Sequence, residues 1–216
     1  MATKRTVPNP LALAVLALLY ERPMHPYEMV TTMRERGKHE SVKLRYSSLY
    51  SVVEALERAD LIVPRETERA GRRPERTVYA ITEAGRIEFL DWLRELVRVP
   101  EKEYPRFMAG LSFLAALPPS EALSLLKERI QLLEDRISRV RGGLAQGRAL
   151  GVPRLFLIEH EYELTLLETE VAWVHALVKE IEAGTIEGLH LWELFHSWTE
   201  PVAVERSGEG GRDELR

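Results

Sequence analysis

Apolar positions change their spacing along this chain, and each change marks an element. Leu11, Val15, Leu16, Leu18 and Leu19 follow Asn9-Pro10 and predict a buried helix, Asn9 capping it and Pro10 opening it. Pro23 ends that helix near Glu21, and His25-Pro26 opens the next, with Tyr27, Met29, Val30 and Met33 expected inward and Gly37 as its stop. A third stripe, Leu49, Val52, Val53 and Leu56, predicts a helix from about Tyr46 to Ala59 that leaves Ser47, Ser48, Tyr50, Ser51 and Glu54 on its other faces. Asp60 then stands where the chain needs a left-handed residue. Beyond it the pattern becomes strand-like in Leu61-Ile62-Val63 and Arg65-Glu66-Thr67. Ala70-Gly71-Arg72-Arg73-Pro74 turns the chain into a second strand over Thr77 to Thr82, and Thr82 caps a further helix. Helix, strand, basic loop and strand in that order read as a winged helix-turn-helix over residues 1–98.

The second half carries a heptad pattern. Leu123, Ile130, Ile137 and Leu144 recur every seven residues, with Leu126, Leu133 and Val140 offset by three. A second seam runs through Leu157, Leu164, Val171 and Val178, partnered by His160, Leu167, Val174 and Ile181. Gly142, Gly143, Gly147, Gly151 and Pro153 lie between the seams and predict a glycine-rich turn. Two such seams satisfy each other in a hairpin or pair across a twofold axis. Tyr162, Leu166, Trp173 and Leu177 form another stripe on the second helix, so that helix is expected to face its own chain and a partner at once. The dimerising residues are accordingly expected among Leu157, Leu164, Leu167, Val171, Val174, Val178 and Ile181. The fold class is mainly α with a small β-wing, and residues 99–199 form a coiled-coil-like helical dimerisation domain. Leu189 to Trp198 suits a short aromatic helix, and the glycine-rich, charged tail 200–216 suits disorder.

The formal charge of −4 conceals a division: residues 1–86 hold 15 Lys and Arg against 11 Asp and Glu, and residues 87–216 hold 15 against 23. A basic head on an acidic body fits a chain whose head alone meets phosphate. Arg65, Arg69, Arg72, Arg73 and Arg76 crowd the predicted wing, an arrangement that also suits a merely solvated turn. The absence of cysteine removes disulfides and thiolate chemistry and agrees with a cytoplasmic location. The Leu11 to Tyr20 run is about half the roughly 20 apolar residues a membrane span requires. Its downstream Tyr20-Glu21-Arg22-Pro23 lacks a small-residue cleavage site, so a secretion signal is not expected.

Small hydroxyls at a helix start donate to phosphates and approach base edges without clash, although Ser47 and Ser48 also suit capping. The DNA-facing set is therefore Lys43, Arg45, Tyr46, Ser47, Ser48, Tyr50 and Ser51, with Arg72, Arg73 and Arg76 from the wing. Trp92, Phe107, Phe113, Tyr162 and Trp173 are candidates for lining an aromatic effector cleft, and the same rings equally suit a packed core. Catalysis finds no constellation. His160-Glu161 begins a zinc-protease motif, but Leu164 occupies the second histidine's position, and no phosphate loop or nucleophile elbow is present. No metal or cofactor is expected. The competing reading is a small-molecule or protein-interaction module that keeps the winged shape with weak or no DNA binding.

Met24-His25-Pro26-Tyr27-Glu28-Met29, Ser48-Leu49-Tyr50, Leu56 to Ile62, Gly71-Arg72-Arg73-Pro74 and Tyr79 to Gly85 together resemble the PadR family of bacterial transcription regulators. The likeness is close over about the first 90 residues. Phe107 to Leu114 followed by two long helices is similar to the larger PadR subgroup with a helical dimerisation domain. Pro26 and Asp60 stand where that family often has glycine. The resemblance implies a homodimer on an inverted-repeat operator, usually repressing and often released by a small molecule, for which an aromatic effector is the candidate; the family also includes activators.

Overall fold

The computed structural model describes residues 5, 7–38, 42, 44–68 and 76–199. The chain divides into two compact units, Met1–Glu103 and Tyr104–Arg216, here the head and the body.

The head opens with α1 (Pro10–Glu21), whose Asn9 side chain accepts the Leu11 amide at 3.0 Å. Being apolar on nearly every side, α1 becomes the centre of the core. In α2 (Pro26–Glu35) the His25 imidazole Nδ1 accepts the Tyr27 amide at 3.0 Å, doing the work of the usual capping oxygen. Pro26, Met29, Val30 and Met33 are buried, but Tyr27 is 57% exposed and not inward as expected. The buried positions run i, i+3, i+4, i+7 from Pro26, and this spacing turns Tyr27 away from the core. Gly37 follows with a positive φ of 68°, stopping the helix.

α3 (Tyr46–Arg58) buries Leu49, Val52, Val53 and Leu56, and Asp60 after it takes φ 56°, the left-handed conformation its short polar side chain tolerates. β1 (Ile62–Glu68) and β2 (Arg76–Ile81) pair antiparallel, with a register shift between Pro64 and Glu66 that makes Arg65 the extra residue of a bulge. Met24 joins this wing through reciprocal backbone bonds with Tyr79 at 3.0 Å, fixing the start of α2 to the base of the hairpin. α4 (Glu83–Arg98) closes the head, with the Thr82 hydroxyl accepting the Gly85 amide at 3.0 Å and Phe89 and Trp92 packed into the core.

The body contains α5 (Arg106–Ser112), α6 (Pro119–Ala149), α7 (Ile158–Glu182) and α8 (Leu189–Thr199). α6 and α7 form a hairpin around two clusters, one with Leu126, Ile130, Val174, Val178 and Ile181, the other with Leu133, Ile137 and Leu167. Ion pairs flank the seam: Arg129 with Glu170, Arg136 with Glu163, Arg141 with Glu168, and both Arg148 and Arg154 with Glu161. The two arginines at the hairpin end hold the Glu161 carboxyl below its ordinary range, the Arg148 hydrogen bond contributing most. Arg141 and Arg148 thus tie the two helices together, and Arg154 ties the connecting turn to the start of α7.

The glycines do not make the turn by themselves. α6 continues through Gly142, Gly143 and Gly147 to Ala149, and the reversal is left to Gly151, at φ 73°, and Pro153. Continuation of the seam to buried Leu144, with the Arg141 pair beside it, holds these helix-poor residues in register. A Cβ at Gly142 or Gly143 would meet no atom within 4 Å. Gly142→Ala and Gly143→Ala are therefore each expected to raise the body's unfolding free energy by about 0.5–1 kcal/mol, measured by urea titration.

Candidate nucleic-acid interface

With Leu49, Val52, Val53 and Leu56 turned into the core, α3 offers Tyr46, Ser47, Tyr50, Ser51 and Glu54 to solvent, and Ser48 is half-buried at the edge of that face. The serines are not caps. Arg45 takes the N-cap position without a side-chain cap bond, placing Ser47 and Ser48 inside the first turn. Ser51 donates its hydroxyl to the Ser47 carbonyl at 3.1 Å, so its lone pairs remain to accept from a base amine. Tyr50 stands at the middle of the face with its ring exposed.

Two contacts aim the helix. The Arg34 guanidinium lies 4.9 Å from the Tyr46 ring centroid and donates to the Tyr46 hydroxyl at 3.3 Å, coupling the end of α2 to the start of α3. Tyr79 of β2 donates its hydroxyl to Glu57 of α3 at 3.4 Å, tying the wing to the other end. Burial, reinforced by the Glu57 charge, pushes the Tyr79 phenol up, which keeps it a proton donor.

Several head cations are occupied by their own carboxylates. Arg36 forks onto Glu21 at 2.5 and 2.9 Å, and its hydrogen bonds hold that carboxyl low against the opposing effect of burial. Arg22 pairs with Glu28. Arg45 and Arg65 are exposed and have no carboxylate partner among the described residues, so both guanidinium groups face solvent. Arg76 is the first residue of β2, while Lys43, Arg72 and Arg73 lie outside the described residues. Tyr27 and Arg34 are exposed on the outer side of α2, with half-buried Thr31 beside them. Tyr27 and Thr31 are linked by a 3.2 Å bond from the Thr31 hydroxyl to the Tyr27 carbonyl, and the spacing of Met29, Val30 and Met33 was the signal that would have found them.

Of the aromatic candidates, Trp92 belongs to the head core. In the body Phe107 meets Trp173 edge-on, centroids 6.3 Å apart, and the Arg129 guanidinium covers the Phe107 ring at 3.6 Å, occupying a face that a planar ligand would use. Phe113 is 76% exposed and lines a different, apolar groove of about 470 Å³ with Trp192 and Phe195. Tyr162 lies on the outward face of α7. Leu157, Leu167, Val174, Val178 and Ile181 are buried within the chain, and Leu164 and Val171 pack beside them against α6. Hairpin pairing therefore consumes the seam expected to meet a partner, because α6 presents a matching apolar stripe on the same chain.

Residues 15–91 match the family model of the Transcriptional regulator PadR-like family, a span that runs from within α1 through α3 and the wing into α4. This region is a PadR-like domain. Over 180 residues it is 28% identical to the Negative transcriptional regulator PadR of Bacillus subtilis (strain 168), a match covering 80% of this chain and 97% of that one. Among solved structures, Bacillus subtilis PadR in complex with operator DNA superposes with a TM-score of 0.65 at 22% identity, covering 83% of this chain and 99% of the other. The same protein with p-coumaric acid gives 0.62 at 20% identity, covering 84% and 99%. The Vibrio cholerae virulence activator AphA gives 0.63 at 16% identity, covering 80% and 98%. At these identities the structures establish the PadR-like fold in both units. No helix among the described residues is long and apolar enough to cross a membrane.

Proposed function

We propose that this chain is a cytoplasmic, homodimeric repressor that places α3 in the major groove of an inverted-repeat operator and is released by a small aromatic effector, with no catalytic role of its own. The observation that carries the reading is the outward face of α3, where Ser47, Tyr50 and Ser51 stand together in solvent with a bulged wing tied to the same helix through Tyr79. Arg45 and Arg65, with the wing arginines Arg72, Arg73 and Arg76, supply the phosphate contacts. The DNA-bound relative and the relative with p-coumaric acid support the two partner classes. For the twofold contact we favour the outward side of α7, where Tyr162, Leu166 and Trp173 are 66%, 52% and 49% exposed. Apolar residues in such a row on a helix already packed on its other side mark an association face.

The test is a gel shift on a duplex from the chain's own upstream region at low and moderate salt, with Tyr50→Ala alongside. Tyr50→Ala is expected to weaken this duplex by about ten- to a hundredfold while leaving a shuffled duplex nearly unchanged, since a base-facing contact carries about 1–3 kcal/mol of discrimination. Equal loss on both duplexes would make Tyr50 a structural residue. An absence of any shift at low salt would favour a winged module without DNA affinity.

A further inference from the structure

Ahead of α1 the chain is held by a side chain that the DNA reading does not use. The Arg5 side chain is 8% exposed, and its guanidinium pairs with Glu95 and lies 3.5 Å from Glu88. It also stands 6.0 Å from the Trp92 ring, so its three neighbours occupy one face of α4 at i, i+4 and i+7. Its Nε is buried and has no hydrogen-bond partner among the described residues. A desolvated ion pair with an unsatisfied donor is a poor source of net stability. Apolar residues of similar volume hold a core as well or better, and what a buried pair adds is a fixed placement.

What Arg5 places is the arm that follows it. Val7 packs on the head core, the Asn9 amide bonds the Val7 carbonyl at 2.8 Å, and Asn9 caps α1. Val7 and Asn9 form one wall of an open groove of about 410 Å³, and the other wall is α3 with Ser47, Ser48 and Ser51. The arm is thus fastened to α4 at one end and borders the reading helix at the other, with four residues between Arg5 and Pro10.

We infer that Arg5 is a positioning residue for DNA selectivity: clamped on α4, it sets the wall beside Ser47, Ser48 and Ser51 and couples α4, the helix by which the chain leaves the head, to the base-reading face. This rests on the DNA-binding reading, but the coupling itself is measurable in the free protein. Arg5→Met alone strands two carboxylates and lowers stability, so the informative variant is Arg5→Met/Glu88→Gln/Glu95→Gln, which removes charge from the whole node. Two quantities are compared with the parent: hydrogen exchange of the α3 amides over Ser47–Ala55 in the free chain, and the ratio of affinities for the upstream and shuffled duplexes. The neutralised variant is expected to melt close to the parent, to exchange about tenfold faster over Ser47–Ala55, and to lose about tenfold in duplex discrimination, of the order found for couplings through packed networks. Unchanged exchange with unchanged discrimination would overturn the inference and leave Arg5 a stability group. Unchanged exchange would also overturn it in a chain whose parent does not discriminate between duplexes, whereas faster exchange in such a chain would uphold the coupling and remove the DNA reading instead.

Discussion

Gly85→Ala is expected to unfold the head near physiological temperature while the body melts as before. A methyl at this position would stand 2.0 Å from the Leu61 carbonyl oxygen and 2.9 Å from the Ile81 side chain. Neither backbone can retreat. Leu61 begins the chain's run into β1 and its carbonyl already accepts from the Thr82 amide and hydroxyl, each at 3.0 Å, while Gly85 itself is held to Thr82 by the α4 cap. Glycine to alanine inside a helix ordinarily stabilises, as expected at Gly142 and Gly143, so a reversal of sign isolates the packing effect. The penalty is about 3 kcal/mol or more, the upper end for overpacking a core, which lowers the melting temperature of a unit this size by roughly 15 °C. Calorimetry of the full chain should show the head's transition displaced and the body's in place. A head that melts with the parent would mean that α4 and Leu61 do not approach as described.

Leu166→Glu is expected to separate the proposed homodimer and to weaken operator binding by about a hundredfold or more. In an isologous contact the substitution enters twice, placing two carboxylates in one apolar face. A monomer then engages one half-site at a time and loses the advantage of bivalence, which is worth about 10²–10⁴ in affinity. Leu166 faces away from the hairpin seam, so the body should keep its helicity. Sedimentation equilibrium decides the matter: a variant that remains dimeric would move the twofold contact off this side of α7.

Local chemistry made much of the fold legible. Asn9-Pro10, His25-Pro26, Asp60 and Thr82 each mark a helix boundary through a bond or a dihedral confined to a few residues, and each boundary stands where those residues put it. Tyr27 is apolar enough to suit a core, but the Pro26, Met29, Val30, Met33 spacing excludes it from the buried side. Gly142 and Gly143 suggest a turn by propensity alone, and the burial of Leu144 carries the helix past them. The heptad seam gave the identity of the buried residues of α7 but not their partner: periodicity reports which side of a helix is covered, and either α6 or a second chain satisfies the same pattern. Gly85 and Arg5 were silent for another reason. Their roles depend on Leu61 and on Glu88 and Glu95, neighbours far along the chain that no local window brings together.

The measurement that bears most directly on the whole account is a sedimentation titration of the intact chain against a labelled duplex from its own upstream region near physiological salt, competed with a shuffled duplex of the same composition. Two chains should assemble on each upstream duplex, with the shuffled competitor weaker by about a thousandfold or more. A single chain per duplex, or competition at equal concentration by the shuffled sequence, would contradict a paired, sequence-reading head.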